Sequence, residues 1–97
     1  MKFFERFKIG AVALAVADGV KDMLRWISTS GIIQIINKVI EAEQKFPRGG
    51  SGKEKWVFVM QWFTETFPGN DGAIATLKDF VSAVVALFNI VKIFKTS

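Results

Sequence analysis

Between Ile74 and Val91, apolar residues return at Ile74, Leu77, Val81, Val84, Phe88 and Val91, in alternating steps of three and four. That spacing follows one face of an α-helix, whose side chains realign about every 3.6 residues, whereas strand side chains alternate every second one. A second apolar row, Phe80, Ala83, Leu87, Ile90 and Phe94, runs beside the first, so the helix is wetted mainly near Lys78, Asp79, Ser82 and Asn89. A helix this widely apolar must lie at the centre of a bundle or be covered by another chain or a membrane. Asp71, just ahead of it, is placed to cap it, and the segment is expected to cover about 71–95.

Other helices must therefore surround it. Ile9, Val12, Ala13, Val16, Val20, Met23, Leu24 and Ile27 form one stripe and predict a first helix over about 3–27. Its opposite side carries Lys8, Ala11, Ala15, Asp18, Asp22 and Arg25, and its Ala-rich first half can pack closely on two sides. Ser28-Thr29-Ser30-Gly31 supplies capping hydroxyls and a flexible glycine, which should end this helix and start the next. Ile32, Ile35, Ile36, Val39, Ala42 and Phe46 then mark a second helix over about 31–46. The β-branched pairs at its start also suit a strand, but Glu41 to Lys45 favours helix and Pro47 ends it.

Residues 47–52, with one Pro and three Gly, read as a flexible loop. Beyond it, Trp56 to Met60 is strand-like, yet Val59, Phe63 and Phe67 align at four-residue steps, as do Phe58 and Trp62, so a third helix is expected over about 53–67. With 51% apolar residues, the chain of 97 has enough material for one hydrophobic core and is too apolar for disorder. The expected fold is all-α: a single domain spanning 1–97, a compact bundle of about four helices.

Chemistry is scarce in this composition. The chain has no Cys and no His, which removes disulfides, thiolate nucleophiles, Cys-ligated zinc and the commonest general base. Gly49 to Lys53 superficially resembles a phosphate-binding loop, but Pro47 stands where the first glycine is required and Glu54 where a hydroxyl would hold magnesium. Glu41 and Glu43 are two apart and diverge on a helix. Asp18 and Asp22 share a face but are flanked by Lys21 and Arg25, a solvated charge cluster, and Ser28, Ser30 and Ser51 lack a base partner. The expectation is a protein that is not an enzyme, with no catalytic, metal or cofactor site and no small-molecule substrate.

Contacts with other molecules are the remaining option. The formal charge of +4 favours an anionic surface. Lys2, Arg6 and Lys8 mark one end, Lys92 and Lys95 the other, and Arg48, Lys53 and Lys55 the middle; of these, Arg48, Lys53, Lys55, Lys92 and Lys95 are the expected anionic-surface contacts. Trp56, Trp62, Phe67, Phe80, Leu87, Phe88 and Phe94 are the expected interaction surface. The Trp56, Trp62 and Phe67 group fits a helix core, a base-stacking platform or an anchor at a lipid interface. Met1 to Lys8 followed by Ile9 to Ala17 has the layout of a signal peptide, but Glu5 and the amphipathic continuation through Asp18, Lys21, Asp22 and Arg25 favour a mature helix. No stretch reaches the roughly 20 consecutive apolar residues of a membrane span; Val81 to Val91 comes nearest, interrupted by Asn89.

The order of residues at the junction of the two halves is more specific. Ile40-Glu41-Ala42-Glu43-Gln44 through Gly50-Ser51-Gly52-Lys53-Glu54-Lys55, then Val57 to Trp62, resembles the soluble C-terminal region of the LLH-type phage holin family. Asp79-Phe80-Val81-Ser82-Ala83-Val84-Val85 and Asn89 look like that family's closing helix, so the resemblance covers roughly 36–89. It implies a phage- or prophage-derived helical interaction module that self-associates or docks on a protein partner, in the cytoplasm or at the periphery of a membrane. A membrane-active holin-like or bacteriocin-like protein is the alternative, and a nucleic-acid-binding bundle, resting on charge alone, is the third. Those holins carry an N-terminal transmembrane helix, whereas the first helix here carries Asp18, Lys21 and Asp22 through its middle.

Overall fold

A computed structural model describes residues 3–46 and 52–90. Arg48, Lys92, Phe94 and Lys95, and residues 47–51 of the loop expected at 47–52, lie outside the described residues, while Gly52 is already helical. The described residues form helices α1 (Phe3–Met23), α2 (Thr29–Lys45), α3 (Gly52–Thr66) and α4 (Ile74–Ile90), the last entered through a single 3-10 turn, Asp71–Ala73. No strand occurs among them, so the β-branched start of α2 and the Trp56–Met60 stretch are helical, as their periodicity requires.

Helix α1 stops earlier than its apolar stripe suggests. After Met23 the chain tightens: Arg25 N–H donates to Asp22 O at 3.2 Å and Trp26 N–H to Met23 O at 2.8 Å, both three residues back. The tighter turn swings Ile27 into the core and leaves Leu24 and Trp26 exposed. Leu24 thus departs from the predicted stripe, while Met23 is fully buried.

Ser28 has extended backbone angles (φ −83°, ψ 172°) and occupies the N-cap of α2, which starts at Thr29 rather than at 31. Its hydroxyl lies 3.0 Å from the Ser30 hydroxyl instead of capping a backbone amide. Gly31 is not a flexible joint. It is buried within the first turn of α2, where an added Cβ would sit 3.1 Å from Ile27 Cδ1 and 3.2 Å from Phe67 Cζ. A side chain there would require Ile27 and Phe67 to give by a few tenths of an ångström.

Two antiparallel pairs build the bundle. In the first, Gly31 of α2 meets Phe67 just beyond α3, while the Lys55 ammonium lies 3.1 Å from the Glu43 carboxylate at the other end. In the second, Gly72 abuts Trp26 and Gly19 abuts Phe80, so α1 and α4 run in opposite directions. Helix α4 also packs on α2 and α3. The core gathers Met23, Ile35, Val39, Val59, Phe63, Leu77, Phe80 and Val84, each at most 2% exposed; full burial of one such side chain stabilises by about 1.5–3 kcal/mol.

Two expectations for the last helix need correction. Asp71 does not cap it: Asn70 precedes the 3-10 turn, Asp71 is the turn's first residue, and no side-chain capping bond is made. Phe80 is not a surface residue. Its ring is fully buried because the α1 residue facing it, Gly19, has no side chain to hold the helices apart.

Candidate docking surface

The aromatic residues expected to share one working face are divided. Phe67 closes on Gly31 and stacks obliquely on Phe63, with ring centroids 5.1 Å apart, and so serves packing. Trp62 meets Phe67 edge-on at 5.8 Å, with the Lys38 ammonium 5.6 Å from its ring centre. It borders a hollow with Gln34, Asn37 and Glu41, whereas Trp56 lines a different cleft against α4. The two tryptophans therefore do not form a single stacking platform. Leu87 and Phe88 are half-buried on α4.

The surface with the least cover lies instead on the first half of α1. Gly10, Ala11, Ala13, Leu14, Ala15 and Ala17 are all exposed, and Leu14 keeps 68% of its area in solvent. Helix α1 meets the core through Val16, Val20 and Met23, which lie on its opposite side. Leu14 belongs to neither predicted α1 row, although it is the one large apolar residue of 9–17 that falls off the Val12–Val16–Val20 line. That isolation was the available signal.

Helix α4 is similarly undercovered. Together with its 3-10 turn, Asp71–Ile90 is 20 residues long and apolar enough to cross a membrane by length and composition, with 28% of its apolar stretch buried within the protein. The stretch includes Asp71, Lys78 and Asp79, so no run of about 20 consecutive apolar residues is present; spanning length is reached because the turn extends the helix and its few charges are diluted along it. Antiparallel pairing sets the charge-free half of α1 (9–17) beside the charge-free half of α4 (80–90). In sequence these halves run outward into Lys2, Arg6 and Lys8, with Glu5, and into Lys92 and Lys95. Five cations against one carboxylate give +4 there, equal to the net charge of the whole chain. At the opposite end of the pair, Asp18, Asp22, Asp71 and Asp79 are exposed.

A second feature is a cleft of about 630 Å³ between the end of α2, the start of α3 and α4. Its apolar lining is Trp56, Val81, Val85 and Ala86; its polar lining is Lys53, Lys55, Lys78, Glu43, Ser82 and Asn89. Lys53 and Lys55, expected to meet an anionic surface, thus border a concavity. No family model, no curated protein and no solved structure matches this chain.

Proposed function

We propose that this protein is a non-catalytic docking module that works at an anionic membrane surface, seated through the charge-free halves of α1 and α4. The observation that carries the reading is Leu14, exposed amid small apolar residues on a helix whose uncovered half adjoins the most apolar part of α4. Apolar area withdrawn from water yields roughly 25 cal/mol per Å², and each Lys or Arg near an anionic leaflet adds about 1 kcal/mol. The cationic flanks favour lipid over a neutral protein partner. In this reading the module acts peripherally on the cytoplasmic side, and a phage or prophage origin is what its resemblance to the holin family implies.

One observation favours a second reading, association with another copy. Gly10, Ala11, Ala13 and Ala17 are small and exposed, which lets a second helix approach closely around Leu14. Co-sedimentation with phosphatidylglycerol or phosphatidylcholine vesicles, at low and high salt, separates the two. Pelleting with the anionic vesicles that partly survives high salt, and is lost in Leu14→Asp, is the expected result. Protein that stays in the supernatant as a monomer under every condition refutes both readings; a soluble dimer dissociated by Leu14→Asp selects the second.

A further inference from the structure

The cleft between α2, α3 and α4 takes no lining residue from α1 and has its own chemistry. Its floor follows α4 from Lys78 to Asn89, eleven residues, or roughly 16 Å at helical rise. Along that floor Val81 and Val85 lie one turn apart, and Trp56 of α3 forms a wall. The volume, about 630 Å³, falls in the usual range of small-molecule sites. Three lysines border it, and only Lys55 is neutralised, by Glu43 at 3.1 Å. Lys53 and Lys78 have no ion-pair partner among the described residues.

An elongated apolar trough with unneutralised ammonium groups at its margins suits a ligand that is apolar along its length and anionic at its head. We infer that the cleft binds a single-chain anionic amphiphile, a long-chain fatty carboxylate. The chain lies on Val81, Val85 and Trp56, and the carboxylate is held at the Lys53 and Lys55 end. A cationic head would be repelled by Lys53, whose charge no carboxylate offsets among the described residues, and a neutral alcohol would keep a hydrogen bond but forgo the ion pair.

The test is a titration of the full chain with dodecanoate below its micellar concentration, followed by tryptophan fluorescence, with Trp56→Phe identifying the reporting ring. A saturable one-to-one response is expected, at least tenfold tighter than for dodecanol and absent for dodecylammonium. Lys53→Gln should weaken it about tenfold, and Ala86→Trp, which fills the trough, should abolish it while the helical circular dichroism is unchanged. No saturable response, equal responses to all three head groups, or a response only to phospholipid vesicles would overturn the assignment. Leu14→Asp should leave this titration unchanged while it abolishes vesicle pelleting, so failure of the cleft and failure of the membrane reading are told apart.

Discussion

Replacing Gly10 and Gly19 by alanine, one at a time, makes the same chemical change twice in α1, and only the first should stabilise. At Gly10, which is exposed, an added Cβ meets nothing within 4 Å. Alanine is preferred over glycine inside a helix by about 1 kcal/mol, so Gly10→Ala should stabilise by about that amount. At Gly19 the same propensity gain applies, but the new Cβ would lie 2.7 Å from Phe80 Cδ1 and 3.3 Å from Phe80 Cα. Phe80 is 0% exposed, so its ring has no room to swing away, and the backbone of α4 must yield. Overpacking of this kind costs about 1–3 kcal/mol, leaving Gly19→Ala between neutral and about 2 kcal/mol destabilised. The two variants should therefore differ by about 1–3 kcal/mol. Each kcal/mol corresponds to about 4–8 °C in midpoint for a domain of this size. Thermal unfolding followed by helical circular dichroism measures it. If Gly19→Ala proves as stabilising as Gly10→Ala, α1 does not pack on α4 through Gly19, and the paired charge-free halves on which the membrane reading depends dissolve with it.

Three further outcomes follow from the packing. Phe80→Ala removes a fully buried ring and should cost about 3–5 kcal/mol, read by urea unfolding; a loss under 1 kcal/mol would place the ring outside the core. Gly72→Ala brings a Cβ to 2.9 Å from Trp26 Cη2, the far end of a side chain 41% exposed and free to shift. Its stability should stay within about 0.5 kcal/mol of the parent, and a loss above 2 kcal/mol would show that Trp26 is held in place. Leu14→Asp should alter unfolding by less than about 1 kcal/mol, since Leu14 contributes little buried area; a larger loss would mean that Leu14 is covered in solution.

The helices were legible because their evidence is local. Ile74, Leu77, Val81 and Val84 repeat at helical spacing whatever they touch, and Pro68 and Gly69 mark where the chain must turn, Gly69 with φ of 88°. What stayed hidden depends on partners distant in sequence. Periodicity identified two apolar rows on α4 but not the neighbour that covers Phe80, because that is decided by Gly19, 61 positions earlier. Gly31 looked like a hinge for the same reason: Ile27 is close by in sequence, but Phe67 arrives from beyond α3. The cleft was invisible as a unit, since Lys53 and Trp56, Glu43, and Lys78 come from three helices. The α1 surface was partly within reach, because a large residue off a helix's apolar line is a local observation, and Leu14 is one.

The pairing of the first helix with the last also sets a schedule for the newborn chain. At roughly 5–20 residues per second of synthesis, the 61 positions between Gly19 and Phe80 represent roughly 3–12 s. Throughout that interval the face of α1 that carries Val16, Gly19 and Val20 has no α4 to receive it. Any apolar surface met in those seconds, including a bilayer, competes with the chain's own final helix, so the order of synthesis as well as the final energy helps decide where α1 comes to rest.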